Sequence, residues 1–367
     1  MQMKIIWAIK HMRQFRKIYM WPVWLFALST QAKSFRDNPV IGSRVLNLFG
    51  LHIVRVLLAR ASSWFRWTLL APLMPASLRK SFHQDGYVLI DNFLSPIETS
   101  AILSEVAAYQ GPVRQMTQGD TATQRILLED KTLITMPKLA AAVGGRKYRN
   151  YLAYAGGKWS HSIQYIQRIH NGFREAAADP QKIMHSDTFH PTVKAWLFLE
   201  DVSKDKGPFT YIPGSARLTW ARLKWEYQRS VNAAKMSDKY SEKGSLRAAP
   251  ADLEAMGLAN PQGITAKAGT LVIANTNGFH GRGAAAAGAS RVEIWAYSRH
   301  NPFSIWPGLP LDSVANIKHW IMQTNWRRLD ARAERQNSRA SWHLVEPAAM
   351  LAPYSAHIDD AKKKASG

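Results

Sequence analysis

No cysteine occurs among the 367 residues. That excludes disulfides, thiolate metal centres and a cysteine nucleophile, so a bound metal must rest on imidazole and carboxylate ligands. It also accords with a reducing compartment. Acidic residues are scarce: 26 Asp and Glu stand against 48 Lys and Arg, a formal net charge of +22. The imbalance is steepest at the start. Residues 1–80 hold 13 Lys and Arg and one acid, Asp37, a net of +12; the other 287 residues carry 35 basic and 25 acidic groups, a net of +10. A long apolar run is missing too. The longest uncharged stretch, residues 18–32, contains Pro22 and falls short of the roughly 20 residues a membrane span needs. Ala27-Leu28-Ser29 is a poor cleavage signal, so no removable signal peptide is expected. Internal repeats are absent.

A basic surface attracts phosphate-bearing partners of any kind. Charge alone does not choose among anionic lipid heads, phosphorylated substrates and nucleic acid, although no nucleic-acid-binding motif accompanies it. Residues 51–70 sharpen this. At 100° per residue His52, Arg55, Ala59, Ser62, Ser63 and Arg66 fall on one face, and Ile53, Val54, Leu57, Leu58, Trp64, Phe65 and Thr68 on the other. A basic amphipathic helix edged with Trp and Phe is the pattern of an interfacial membrane helix, and the alternative is a helix packed on the rest of the protein. Residues 1–80 are therefore expected to form a basic, aromatic helical extension. The protein is expected in the cytoplasm, peripheral on the inner face of the membrane.

A globular pattern follows. Residues 86–91 (GYVLID) read as a strand, and Ser95 with Glu98 as a capping box opening a helix to about Tyr109. Strand-like segments at 162–170, 193–199, 208–213, 270–275 and 291–298 are separated by Gly, Pro and Asn turns, the rhythm of an antiparallel sandwich or barrel. The stretch 218–260 is polar and helix-compatible, too long for a passive turn, and is expected as an insertion over the barrel mouth. Residues 306–367 read as a helical extension ending in a charged tail, AKKKASG.

Within this frame His185 and Asp187 stand two residues apart, and in extended chain such side chains share a face. His280, between the strand-like GTLVIANTNGF and the turn GRG, is the best third ligand. His170 and His190 are its rivals and suit structural roles. Two imidazoles and a carboxylate on one side of an ion leave positions open, which suits non-haem Fe(II) binding a co-substrate and O₂. Arg291, eleven residues beyond His280, opens the strand RVEIWAYS, whose alternation puts Arg291, Glu293, Trp295 and Tyr297 on one face. A guanidinium entering such a core needs an anion. The distal carboxylate of 2-oxoglutarate would serve, and so would Glu293.

The succession HSD, VKAWLFLEDVSKDKGPFTYIPGSAR, GTLVIANTNGFHGRG and Arg291 resembles the phytanoyl-CoA dioxygenase family and its bacterial relatives. SFHQDGYVLIDNFLSPIE and YSRHNPF extend the likeness to about residues 81–305. The resemblance implies a double-stranded β-helix, a cupin-like jelly roll with a mainly β core and flanking helices (α+β). It implies Fe(II) on His185, Asp187 and His280, and 2-oxoglutarate on Arg291 with Trp196 close to it. Ser186 and Arg282 depart from common family residues near the metal. The activity implied is that of a dioxygenase that hydroxylates a C–H bond while 2-oxoglutarate becomes succinate and CO₂. Related halogenases have a small residue in place of the carboxylate, so Asp187 points to hydroxylation. The basic extension favours a lipid-like, acyl or lipid-linked substrate. Two other readings stand beside this one. A cupin-type metal dioxygenase without 2-oxoglutarate would not need Arg291, and a membrane-bound scaffold with a residual metal site would turn nothing over. Oligomeric state is not legible.

Overall fold

The computed structural model describes residues 18–159, 162–172, 175–177, 179–309 and 312–350. Trp7 and the AKKKASG tail lie outside them. Eleven strands are present among the described residues: β1 (Tyr87–Ile90), β2 (Val113–Gln118), β3 (Thr121–Leu127), β4 (Ile163–Asn171), β5 (Val193–Phe198), β6 (Phe209–Tyr211), β7 (Gln262–Ile264), β8 (Leu271–Asn275), β9 (His280–Arg282), β10 (Ser290–Ser298) and β11 (His343–Val345). They form an eight-stranded sheet, in the order β1-β8-β5-β10-β4-β3-β2-β11, and a three-stranded sheet, β7-β6-β9. Every pairing is antiparallel. This is the double-stranded β-helix, an α+β protein with a jelly-roll core.

Strand alternation decides what each face of the large sheet meets. Val193, Ala195 and Leu197 of β5, with Val292, Ile294 and Ala296 of β10, point to the helical side. There they bury against Ile102 and Val106 of helix Pro96–Ala108, and against Leu139, Tyr148 and Leu152. Complete burial of each Val, Leu or Ile side chain contributes roughly 1.5–3 kcal/mol. The opposite set, Trp196, Phe198 and Trp295, turns inward and packs with Phe209, Tyr211 and Ile264 of the small sheet. The interior between the sheets is the face on which the sequence places Arg291 and Tyr297. The capping box forms as expected: Ser95 Oγ accepts from Glu98 N, and Glu98 Oε2 accepts from Ser95 N at 2.8 Å.

The N-terminal helix, Leu51–Leu69, is inside out. Its polar stripe faces the protein, and His52, Arg55, Ser63 and Arg66 are all buried. Arg55 donates to the carbonyls of Leu28, Thr30 and Ala32, and Arg66 to Ser304 O and Ser63 Oγ. His52 pairs with Glu226 at 2.8 Å. Arg60 also turns inward, to Ala216 O at 2.7 Å and Asn277 Oδ1 at 3.0 Å. Buried loop carbonyls need donors, and these arginines supply them. Val54, Leu57, Leu58, Trp64 and Phe65 face outward instead, with Trp64 68% exposed. The basic residues of this helix therefore do not lie on a lipid-facing surface.

One further expectation is revised, and one element has no counterpart in the sequence reading. Within 218–260, helix Trp220–Val231 packs on Arg44–Leu48 and Leu51–Leu69 through Arg222, Trp225, Glu226 and Ser230. It does not cover the barrel mouth. That side is bordered by Met322 and Trp326 of helix Asp312–Arg335 and by Trp342. The β2–β3 hairpin, turning at Gly119 (φ 57°), was not anticipated.

Candidate metal centre

Residues 185 and 280 are distant in sequence but opposite each other in an antiparallel pair. His185 N donates to His280 O at 2.9 Å, and His280 N to His185 O at 3.0 Å. Such a mutual pair sets two side chains side by side, and the imidazole centroids lie 4.5 Å apart. Asp187 continues the segment, its N–H donating to Thr276 O at 2.9 Å. His185, Asp187 and His280 thus offer ligand atoms within 4.8 Å of one another, all three residues buried.

The tautomers are fixed by the backbone. His185 Nδ1 lies 2.7 Å from Ile183 O and His280 Nδ1 3.0 Å from Gly278 O, so each Nδ1 carries the proton and each Nε2 keeps its lone pair. The two Nε2 atoms face Asp187 at 3.8 Å, and His280 Nε2 is buried with no hydrogen-bond partner. Burial holds His185 well below the usual imidazole range and pulls His280 down to about 4. Against the upward push of burial, the Lys194 ammonium holds Asp187 well below the carboxylate range. Two neutral nitrogen ligands and one carboxylate converge on a point that no hydrogen-bond donor of the described residues fills. That set fits a divalent iron ion.

Lys194 was not singled out in the sequence. Its ammonium pairs with Asp187 Oδ2 at 2.7 Å, close enough for a strong ion pair although off the hydrogen-bond axis. A lysine two residues before Trp196 in the otherwise apolar VKAWLF was the available signal, since positions i and i+2 share a face. Lys33, from the N-terminal extension, donates to Asp187 O.

The triad opens into a cavity of about 480 Å³. Trp196 lines it, stacked on Phe209 at 4.0 Å between centroids. Arg291 lines it as well, but its Nε donates to Glu293 Oε2 at 2.8 Å and its Nη1 to Lys206 O at 3.2 Å. The alternative partner weighed for this guanidinium is thus in place. Glu293 also accepts from Gln167 at 2.6 Å. Ser186 points away from the ligands, its Oγ donating to Thr188 O and Asn277 O, and Arg282 pairs with Asp179 at 2.6 Å. His190 and His170 stay outside the cluster. His190 meets Pro191 O, and His170 lies 3.4 Å from Gln124.

The family model of phytanoyl-CoA dioxygenase (PhyH) matches residues 82–292. No curated protein matches in sequence. Among solved structures, the epimerase SnoN in complex with Fe3+, alpha ketoglutarate and nogalamycin RO is similar at 17% identity and a TM-score of 0.40, over 62% of this chain and 83% of that one. HygX from Streptomyces hygroscopicus with nickel and 2-oxoglutarate bound shares 16% identity at a TM-score of 0.38, over 61% and 86%. EctD from S. alaskensis with 2-oxoglutarate and 5-hydroxyectoine shares 15% at 0.40, over 63% and 80%.

Proposed function

Because the chain belongs to the phytanoyl-CoA dioxygenase family and is an Fe(II)/2-oxoglutarate-dependent oxygenase, we propose that it hydroxylates a C–H bond of a lipid-like, acyl or lipid-linked substrate at the inner face of a membrane. The observation that carries the reaction is the pair of inward-facing Nε2 lone pairs beside Asp187, each fixed by a backbone carbonyl on the far nitrogen. When bound there, iron with 2-oxoglutarate and O₂ supplies the oxidation that converts C–H to C–OH, releasing succinate and CO₂.

The protein's own part is orientation and charge. His185 and His280 hold their lone pairs toward the ion, and Lys194 keeps one carboxylate oxygen of Asp187 engaged so that the other is presented. Arg291 is held rigid by Glu293 and offers its remaining edge to the distal carboxylate of 2-oxoglutarate. Trp196, braced on Phe209, walls the co-substrate. Domain roles follow the same division, with residues 81–305 as the oxygenase, 1–80 as the membrane-facing extension and 306–367 as a C-terminal addition beside the cavity. The lipid preference is supported by the outward apolar set of the N-terminal segment, which includes Trp21, Phe26, Phe49, Leu58, Trp64 and Phe65. Exposed apolar area of this extent marks a membrane or a partner surface. No helix among the described residues is long and apolar enough to cross a membrane, so docking would be in the interfacial plane.

The test is succinate formation by Fe(II)-reconstituted protein supplied with extracted lipids. Wild type should form succinate faster with the lipid fraction than with water-soluble extract. Asp187→Ala, left with two imidazole ligands, should bind iron roughly tenfold or more weakly, and Arg291→Ala should raise the KM for 2-oxoglutarate by roughly ten- to a hundredfold. Turnover of the water-soluble extract alone would overturn the lipid assignment, and succinate formation indifferent to Arg291→Ala would overturn the co-substrate assignment.

A further inference from the structure

Six cationic side chains line the cavity beside the triad: Arg114, Arg125, Lys194, Arg282, Arg291 and Arg299. Four of them have carboxylates. Arg114 pairs with Asp330, Lys194 with Asp187, Arg282 with Asp179 and Arg291 with Glu293. Arg125 and Arg299 have no ion-pair partner among the described residues.

Arg125 is the more deeply set. It stands on β3 in the cross-strand row that also holds Gln167 of β4 and Glu293 of β10. Arg125 Nε donates to Gln167 Oε1 at 2.7 Å, Gln167 Nε2 donates to Glu293 Oε1 at 2.6 Å, and Arg291 Nε donates to Glu293 Oε2 at 2.8 Å. One carboxylate therefore serves two guanidiniums, and the Arg125–Gln167–Glu293–Arg291 network keeps a net positive charge. The faces of the Arg125 guanidinium are covered by aromatic rings, with Trp295 at 4.2 Å, Trp342 at 4.6 Å and Tyr165 at 5.0 Å from centroid to Cζ. Rings attract the cation through its face but cannot accept the N–H groups, which lie in its plane. The two terminal nitrogens border the cavity with no acceptor among the described residues. Burial lowers Arg125 only to about 10, so it stays charged at neutral pH. A cation so desolvated is costly without a counter-ion.

Arg299 continues the same charge. It and Tyr297 are shared with an adjoining cavity of about 290 Å³, which Lys33 and Lys318 also line and no carboxylate does. Both Arg125 and Arg299 act on Lys194, so both lie within electrostatic reach of the ligating aspartate's partner.

We propose that this cavity recognises an oxyanion of the phosphate class on the substrate, seated edge-on against Arg125 between Trp295 and Trp342, with Arg299 meeting the second charge. A planar fork suits two oxygens of one phosphate, and two guanidiniums without a carboxylate, Arg125 within the cavity and Arg299 at its exposed rim, match a dianion better than a single carboxylate. The seat uses a different guanidinium from Arg291, which 2-oxoglutarate would take, and is built partly outside the family-matched residues, since Trp342 comes from the C-terminal segment. The proposal rests on the oxygenase reading for its location beside the metal, but phosphate binding itself does not require turnover.

The test is equilibrium binding to full-length protein, first without metal and then loaded with Mn(II) and 2-oxoglutarate under anaerobic conditions. The probes are dodecyl phosphate, glucose 6-phosphate, dodecanol and glucose. Wild type should prefer each phosphate over its neutral parent by tenfold or more. Arg125→Gln should lose that preference and Arg125→Lys should keep part of it, with thermal unfolding run on both variants to verify folding. Tighter binding of dodecyl phosphate than of glucose 6-phosphate supports the site as one for a lipid phosphate, and the reverse order supports it as one for a water-soluble phosphate ester. Equal binding of phosphates and neutral parents overturns the proposal, as does an unchanged preference in folded Arg125→Gln. Displacement of the phosphate probe by saturating 2-oxoglutarate overturns it too, because Arg125 would then be the co-substrate's seat. Failure of Mn(II) and 2-oxoglutarate to load would instead count against the oxygenase reading, leaving the metal-free phosphate measurement to stand alone.

Discussion

Gly278 shows how little room the ligand scaffold leaves. Its carbonyl accepts from His280 Nδ1, and a Cβ built on it would fall 1.9 Å from Tyr211 Oη and 2.9 Å from Ser215 Oγ. Tyr211 cannot retreat, since its hydroxyl donates to Asn275 O at 2.8 Å inside a filled core. Gly278→Ala is therefore expected to cost about 1–3 kcal/mol by overpacking and to swing the carbonyl that fixes the His280 tautomer. Metal affinity should fall by tenfold or more, read by competition with a chromogenic chelator. Full affinity with unchanged stability would show the scaffold to be softer than described. At this scale the ligands were legible because HSD and FHGRG are short motifs with direct chemical meaning. Lys194, Arg125 and Lys33 were not. Lys194 had a signal in its i, i+2 spacing from Trp196, but Arg125 and Lys33 are lone basic residues whose roles depend on which strand or loop lies across from them, and one-dimensional spacing does not carry that information.

Helix Leu51–Leu69 separates what periodicity reveals from what it conceals. The spacing divides the residues into the two faces that are found, with the apolar one outward as an interfacial helix requires; what it does not carry is that the basic stripe would be buried in the protein, since charged residues are rarely fully buried. Here the inward stripe is held by arginine-to-carbonyl and His52–Glu226 contacts. The β2–β3 hairpin escaped for a related reason. Arg114, Gln115, Gln124 and Arg125 supply cavity-facing and cross-strand polar contacts where a half-buried strand would normally show apolar residues. The inverted helix makes a paired prediction. Replacing Leu58 and Trp64 together with Glu should weaken partition onto vesicles containing anionic lipid by at least tenfold, with the melting temperature within about 2 °C of wild type, since both residues are exposed. Arg55→Met should do the reverse, leaving the outer surface intact while costing about 2–4 kcal/mol through abandoned carbonyls. Flotation assays and denaturant titrations distinguish the two. Unchanged flotation of the double variant would remove the membrane face.

Taken whole, the molecule buries several imidazoles in neutral form away from the ligands. Burial brings His190 down to about 3 and His170 to about 4, and pushes His300 well below its ordinary range, with Arg66 adding to the last. The unfolded chain binds protons at these positions near pH 6.5, whereas the folded chain resists until about pH 4 or 3. Stability contributed by the neutral forms is thus fully present above about pH 6.5 and is lost progressively as pH falls toward 4. Calorimetric melting temperatures should drop by several degrees between pH 7 and pH 5, and His190→Gln should shallow that slope. A flat profile would mean that these imidazoles are solvated.

Lys33 bonds to the backbone of the ligating aspartate, and Arg60 to Asn277 near the other end of the triad. Trimming the first eighty residues to obtain a better-behaved enzyme would therefore dismantle one wall of the iron site along with the greasy exterior. A shortened preparation that loses iron would say nothing about whether lipid contact matters. The practical corollary is to keep the chain entire and alter only its outward side chains.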